Sequence, residues 1–485
     1  MKLKRYYFYL VAALALLIVG LIFVYAGSAK GLKLASIFEQ GNRSSHTIVL
    51  SKGGFSPGNL TIKKGDWVTF TTTAGQQFWP ASDPHPTHSI YPDFDPKRPV
   101  DPGKSWSFQF EKEGTFPYHD HFIPSLGGTI VVGHASEIGE NCAEDTQNQY
   151  LCWSKMIDES LRNNGLNSAF SLVENLYQTQ PAFAGDCHLF LHKLGQAAYE
   201  EFADKQDIAL TSASAYCGYG FYHGFMESLL MQSNNYSKAL EFCQKVSAEM
   251  SQSLSDACYH GVGHGAMAVG TIDQATWGKP DSLVSKALAI CNKVADSSVN
   301  VARCASGSFM EISSYLSGSQ YGLSADAKNP LKICQAQTAE DIKTTCYAQM
   351  YPVLQAVSRG SVPAAIKYIE AIPEDNYAEE SVETLLGSMA GINSDQSKNV
   401  QACSAAQKRL QAKCISGIAL SFMLNGTPNE QYKQAAAFCS TGGLTGIERD
   451  SCYDLIVNES KNTYSGSQLQ NACQSLPSYY QKKCL

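Results

Sequence analysis

Near its start the chain has a long, mostly apolar segment, residues 6–29, which contains no charged side chain. A helix of this length can cross a hydrocarbon core about 30 Å thick. Basic residues precede it, namely Lys2, Lys4 and Arg5. Since positive charge favours the cytoplasmic side, residues 1–29 are predicted to anchor the chain in the cell membrane in a single pass. A cleaved signal peptide that ends near residues 27–29 is the alternative.

After a linker at residues 30–45, the pattern changes to short runs in which apolar and polar residues alternate. The runs TIVL, NLTIKKGDWVTFTT, SWSFQF and GTIVV are separated by breaks rich in Gly and Pro. A period of two predicts strands with one buried face. We therefore predict an all-β antiparallel sandwich over residues 46–135, placed outside the cytoplasm in the periplasm or the extracellular space.

Beyond Gly139 the apolar residues recur with helical spacing, and the cysteines fall into neighbouring pairs. All 16 cysteines lie after residue 141, and seven of the eight pairs are separated by 10 to 15 residues. Cysteines of an exported chain usually form disulfides. Each pair therefore predicts a bridge across the turn of a helix hairpin, although spacing alone does not fix the pairing. The predicted pairs are Cys142 with Cys152, Cys187 with Cys217, Cys243 with Cys258, Cys291 with Cys304, Cys334 with Cys346, Cys403 with Cys414, Cys439 with Cys452, and Cys473 with Cys484.

The repeat of these pairs predicts the architecture of the second region. Cys403, Cys439 and Cys473 lie 36 and 34 residues apart, which is a period typical of solenoids. We predict that residues 140–485 form an all-α, disulfide-stapled array of helix hairpins. The whole chain is thus predicted to be multidomain, with a membrane helix, a sandwich and a helical array.

The sandwich region resembles a known family through the runs GFSPGNLTIKKGDWVTF and PGKSWSFQFEKEGTFPYHDHFIPSLGGTIVV. Over residues 46–133 it resembles the cupredoxins, the blue-copper proteins. In that family the last strands carry a Cys, a His and a Met, and an upstream His completes the copper site. The resemblance places Asp120, Ile123 and Leu126 at those three positions, whereas His88 matches the upstream His. It therefore implies the fold, but without the thiolate an intense blue absorption and plastocyanin-like electron carriage are not expected.

Further histidines surround His88, and a metal site is predicted from His85, His88, His119, Asp120 and His121. On a strand, His119 and His121 share one face and Asp120 points to the other, so either Asp120 or the two histidines are ligands. Imidazole and carboxylate suit Cu(II), zinc or iron. The alternative is a sandwich that kept the fold and holds no metal.

The helical region has its own cluster of histidines, since five lie within 77 residues and none in the last 221. They are His188, His192, His223, His260 and His264. Pairs four residues apart share a helix face, and His223, His264 and Met310 each follow a cysteine by six residues. With Glu227, these side chains predict a site for one or two transition-metal ions or a non-covalent haem.

The predicted arrangement of this second site is specific. At least three of the five rings should converge, with Glu227 or Met310 nearby and Tyr219 or Tyr222 as supporting donors. Glycines surround these histidines, which indicates close backbone approach to a ligand or between helices. Tight helix packing without a ligand is the alternative.

Charge and motifs exclude several functions. A net charge of −7 over 485 residues gives no basic face for nucleic acid. The chain has no C-x-x-C, phosphate-binding loop, hydrolase elbow or H-E-x-x-H, so no hydrolase or transferase is indicated. The pattern favours a membrane-anchored metal-binding protein, copper first, for metal acquisition, storage or redox chemistry, which includes a metal-dependent oxidoreductase. The alternative is a scaffold whose helical array binds a protein partner.

Overall fold

A computed structural model describes most of the chain after the predicted anchor. The described residues are 43–51, 54–85, 87–133, 142, 149–205, 208, 210, 211, 214, 217–233, 235–250, 252–391, 396–427, 430–441, 443–464 and 466–485. The predicted membrane helix and most of the linker lie outside these ranges. Of the helices within them, none has the length and apolar character that a membrane crossing requires.

The first unit is a sandwich of two four-stranded sheets. Its strands are β1 (Ser45–Ser51), β2 (Gly54–Ser56), β3 (Asn59–Ile62), β4 (Trp67–Thr72), β5 (Pro80–Ser82), β6 (Ser105–Gln109), β7 (Gly114–Asp120) and β8 (Ile123–Val132). The sheet orders are β2-β1-β4-β6 and β3-β8-β7-β5. The predicted β-sandwich is thus confirmed in its architecture.

The prediction of a purely antiparallel sandwich is wrong for two strand pairs. β1 and β4 run parallel, as do β3 and β8, while the other pairs are antiparallel. The chain leaves the first sheet at β3 and returns to it at β4. Because this crossover replaces a hairpin, β1 and β4 meet in the same direction.

The alternating pattern places one face of each sheet in a shared aromatic core. In β4, Val68 and Phe70 are fully buried, whereas Trp67 is 41% exposed. Phe70 packs against Phe94 and Tyr118 from the facing elements, with ring centroids 5.5 and 5.4 Å apart. Each such side chain stabilises the fold by about 1.5–3 kcal/mol through burial.

The second unit is helical. Its α-helices are α1 (Gln149–Asn164), α2 (Leu166–Thr179), α3 (Pro181–Lys205), α4 (Gly220–Ser233), α5 (Tyr236–Glu249), α6 (Gln252–Ile272), α7 (Pro280–Val294), α8 (Ser298–Ser317), α9 (Lys332–Gln335), α10 (Glu340–Gln349), α11 (Tyr351–Val357), α12 (Val362–Glu370), α13 (Asp375–Met389), α14 (Gln396–Ala405), α15 (Lys408–Asn425), α16 (Gln431–Cys439), α17 (Gly446–Thr463), α18 (Gly466–Gln474) and α19 (Ser478–Cys484). Local signals start several of them: Ser297 caps α8, and Thr445 forms a capping box with Glu448 at α17.

These helices form two layers. Eight helices pack successively on one another, which gives an inner row of α3, α4, α6, α8, α10, α13, α15 and α17. The first helices of the hairpins flank this row on the outside. The array also curves back on itself, because Gln431 Nε2 in α16 donates to the Tyr177 hydroxyl in α2 at 3.1 Å. A small, constant rotation between repeats produces such curvature.

All eight predicted disulfide pairs are confirmed, and five of them join a flanking helix to the inner row. No cysteine is left free. The Cα atoms of each pair lie 5.4 to 5.8 Å apart, within the ordinary range for a bridge. One hairpin, α12 with α13, carries no cysteine and lies in the long gap between Cys346 and Cys403.

The glycines of the histidine-rich helices allow the inner helices to touch. A Cβ atom at Gly224 in α4 would collide with the His192 carbonyl oxygen of α3. Likewise, a Cβ atom at Gly307 in α8 would collide with the His260 carbonyl oxygen of α6. Of the two predicted reasons for these glycines, close approach between helices is therefore the one observed. It brings α3, α4, α6 and α8 together at the level of their histidines.

Candidate metal centre

Four histidines meet at one end of the sandwich. His85 and His88 lie in the loop after β5, while His119 and His121 lie at the end of β7. Because β5 pairs with β7, with Ala81 opposite His119, the two segments are held side by side. One ring nitrogen from each of the four lies within 4.8 Å of the others. Their side chains are buried or nearly so.

Two carboxylates hold two of these rings in place. His88 Nδ1 lies 2.6 Å from Asp95 Oδ2, and His119 Nδ1 lies 2.6 Å from Asp83 Oδ1. Burial opposes ionisation of Asp95 and Asp83, but the imidazoles outweigh it and lower the pKa of both carboxyls. An ionised carboxylate only accepts, so each Nδ1–H donates to it.

The opposite nitrogens of these rings face the remaining two histidines. His88 Nε2 lies 3.0 Å from His121 Nδ1, and His119 Nε2 lies 3.3 Å from His85 Nδ1. Metal-binding histidines characteristically hold one nitrogen on a carboxylate or other partner and present the second to the ion. We call this set of four rings the sandwich centre.

The helical array supplies the partners of the other two rings. His121 Nε2 lies 2.6 Å from the Tyr321 hydroxyl, which comes from the segment after α8. His85 Nε2 lies 3.5 Å from Glu227 Oε2 in α4. Trp79 stacks on His121 with ring centroids 4.5 Å apart. The sandwich centre is therefore closed by the array.

The structure does not bring Asp120 into the sandwich centre. Its Oδ1 accepts from the backbone N–H of Trp79 at 2.8 Å, and its Oδ2 has no partner among the described residues. Burial raises the pKa of Asp120 to about 7. Of the two alternatives that the strand pattern left open, the structure groups His119 and His121. Leu126, matched to the family's Met, packs against the sandwich core.

The histidines of the array form a second group, the array centre. Nitrogens of His223, His260 and His264 lie within 4.8 Å of one another. His223 and His264 stack with ring centroids 4.0 Å apart, and His260 Nε2 lies 3.2 Å from His264 Nε2. His223 Nδ1 is buried and has no hydrogen-bond partner among the described residues. An ion would satisfy it, whereas rings in stacking contact leave no room between them for a haem.

The remaining two array histidines lie beside this group. His188 Nδ1 donates to the carbonyl oxygen of Cys217 at 2.8 Å, and its ring lies 5.0 Å from that of His223. His192 Nε2 lies 3.4 Å from Glu227 Oε2. All five predicted rings are thus close together, as is the predicted carboxylate of Glu227.

One of the predicted supporting residues, Tyr222, has another partner, and Glu311 and Tyr321 were missed. The Tyr222 hydroxyl bonds Ser214 Oγ at 3.0 Å, whereas Tyr219 and Met310 are half-buried. Glu311 follows Met310 directly, and because a helix turns about 100° per residue the two side chains point in different directions. The Glu311 carboxylate lies with Glu227 and His264. The sequence signal for Glu311 was a single charged residue in the otherwise uncharged run that follows Cys304. The sequence offers no comparable signal for Tyr321.

Burial controls the charge of the cluster. It lowers the pKa of most of these imidazoles, which stay neutral and keep a lone pair for a metal. For His188, burial and the neighbouring His192 lower the pKa to about 4. His192 differs from them, because the Glu227 and Glu311 carboxylates outweigh burial and raise its pKa. In turn His192 and His85 outweigh burial and lower the pKa of Glu227.

The two predicted sites are one continuous cluster. Glu227 touches His85 of the sandwich centre and His192 of the array. A small pocket, partly open to solvent, reaches it between the two units. Its lining includes His85, His121, Glu227, Tyr315 and Tyr321.

Comparisons with known proteins find similarity to a small part of the chain. No protein-family model and no curated protein matches the chain. Among solved structures, the chain is similar to a purple cupredoxin from Nitrosopumilus maritimus at 26% identity, covering 18% of this chain and 99% of that one, with a TM-score of 0.17. A reduced amicyanin variant matches at 21% identity, 18% and 82% coverage and a TM-score of 0.17. A multicopper oxidase matches at 16% identity, 20% and 40% coverage and a TM-score of 0.15.

Proposed function

We propose that this protein binds transition-metal ions, copper first, in a buried cluster built jointly by a cupredoxin-type sandwich and the helical array. Copper would be held in the sandwich centre by His85, His88, His119 and His121. The array centre would hold a further ion through its imidazoles. The role is metal acquisition, storage or redox chemistry.

One observation carries this proposal: the four rings of the sandwich centre are fixed from outside while their other nitrogens converge. Asp95, Asp83 and Tyr321 contact the outer nitrogens of His88, His119 and His121 at 2.6 Å each. The converging nitrogens face each other in pairs, His88 with His121 at 3.0 Å and His119 with His85 at 3.3 Å. A cation bound among them would accept the lone pairs that these imidazoles otherwise use in hydrogen bonds to one another.

The donor set favours copper over other divalent ions. Imidazole binds copper, zinc, iron and nickel, and the Irving–Williams order places Cu(II) above its neighbours. All cysteines of the chain are in disulfides, so no thiolate is available. Copper bound here should be pale, without the intense thiolate-to-copper band of blue-copper proteins.

We also propose that the protein acts outside the cytoplasm, attached to the membrane by residues 6–29. The uncharged segment and its basic flank support this placement. Eight disulfides support it further, because such bridges persist mainly in oxidising compartments. A copper site there would meet ions from the environment.

The rival function is a partner-binding scaffold with metal-free histidines, and metal content separates the two. Full chain purified from copper-replete cells should contain at least about one copper ion per molecule by elemental analysis. A His46→Ala variant should contain the same amount, since His46 bonds Asp66 at 3.1 Å, apart from the cluster. Full chain that carries no metal and takes up no added Cu(II) would favour the scaffold.

A further inference from the structure

Two buried carboxylates meet between the sandwich centre and the array centre. Ligand atoms of Glu227, His264 and Glu311 all lie within 4.8 Å of one another. Glu227 and Glu311 are only 5% and 3% exposed. They come from α4 and α8, on either side of the helix that carries His264. We call this set the carboxylate centre.

One oxygen of this set has no hydrogen-bond partner. Glu227 Oε2 is fully buried, and no donor among the described residues reaches it in hydrogen-bond geometry. His192 Nε2 and His85 Nε2 are the neighbouring nitrogens, at 3.4 and 3.5 Å. These contacts offset part of the cost of the buried charge but leave the oxygen without a hydrogen bond, and coordination to a cation is one way to satisfy it.

Charge and hardness set the carboxylate centre apart from its two neighbours. The sandwich and array centres offer only imidazole nitrogens, whereas this one offers two carboxylates and one imidazole. Two nearby carboxylates repel each other unless a positive charge lies between them. Carboxylates with imidazole suit harder divalent ions such as Mn(II) and Fe(II).

We propose that Glu227, His264 and Glu311 form a distinct site for Mn(II) or Fe(II), so that the protein carries two chemically different metals. The inference goes beyond the copper function proposed above and does not need it. His264 is shared by the carboxylate centre and the array centre and turns a different nitrogen to each, because its Nδ1 lies 3.3 Å from Glu311 Oε1 while its Nε2 faces His260. On the other side, Glu227 lies between the carboxylate centre and the sandwich centre, since it also contacts His85.

The test uses the full chain loaded with one equivalent of Cu(II) and then titrated with Mn(II). Free Mn(II) gives a six-line electron paramagnetic resonance spectrum that weakens on binding. We expect the unchanged chain to bind about one equivalent, and Glu311→Gln to weaken Mn(II) binding at least tenfold while copper content is kept. The matched control is Glu383→Gln, which removes a buried carboxylate that contacts Lys413 in α15, away from the histidines.

Each outcome decides the proposal. Unchanged chain that leaves all Mn(II) in solution overturns it, whether or not the Glu311→Gln variant folds. Equal Mn(II) affinity in Glu311→Gln and Glu383→Gln also overturns it. Copper bound without Mn(II) contradicts this site alone, whereas Mn(II) bound without copper supports this site and contradicts the copper function.

Discussion

Replacing His88 and His121 together with alanine should lower the Cu(II) affinity of the full chain at least about 100-fold. The two rings present facing nitrogens 3.0 Å apart, so the double variant removes two adjacent ligands of the sandwich centre. Loss of partners that merely orient a ligand already costs about 10- to 100-fold in affinity. Isothermal titration or competition with a chelator of known affinity measures the change.

His46→Ala is the matched control for this double variant, because it also removes an imidazole from the sandwich unit. His46 lies in β1, pairs with Asp66 and is 29% exposed at its side chain. Its loss should leave copper affinity unchanged. Circular dichroism and the absence of free thiols report whether the double variant is folded. A folded double variant with the affinity of the unchanged chain would contradict the ligand assignment.

Changing Gly224 to alanine should destabilise the array by about 3 kcal/mol. The added methyl group would collide with the His192 carbonyl oxygen and come within 3.0 Å of the Gln196 side chain. The backbone of α3 cannot yield cheaply, because α3 also packs against the sandwich strand β8. A displacement of α3 would move His192 away from Glu227, so we expect metal affinity to fall together with stability.

Gly185→Ala is the matched control in the neighbouring helix. Gly185 is exposed in α3, and a Cβ atom there would meet nothing within 4 Å. Since alanine is the better helix former, this variant should gain about 0.5–1 kcal/mol. Guanidinium unfolding compares the two variants. Equal stability of Gly224→Ala and the unchanged chain would contradict the prediction, since it would show that the close α3–α4 contact does not stabilise the array.

Sequence patterns predicted much of the architecture because they reflect local physics. Strand alternation is a two-residue property, and the cysteine pairs lie only 10 to 30 residues apart in the chain. Both could therefore be interpreted without knowing the fold. The unstapled hairpin of α12 and α13 escaped this reasoning, since it carries no cysteine. The parallel strand pairs escaped it as well, because a crossover between sheets leaves no local signal.

The residues of the candidate site also fall into those that the sequence could predict and those that it could not. The histidines could be predicted, because imidazoles are rare and were clustered along the chain. The contacts that join the two groups could not, since His121 meets Tyr321 across 200 residues. Asp120 was predicted because the resemblance to the cupredoxins places it at the position of the copper-binding Cys, and the structure places it outside the grouped ligands. Packing between the two units, which no local pattern encodes, determines these details.

X-ray absorption at the copper edge tests the central claim most directly, namely that a buried set of imidazoles holds the metal. The sample is the full chain with one equivalent of copper. The proposed site predicts a first shell of nitrogen, with outer-shell scattering from three or four imidazole rings and no sulfur. A sulfur shell, or a shell of oxygen with at most one imidazole, would contradict it.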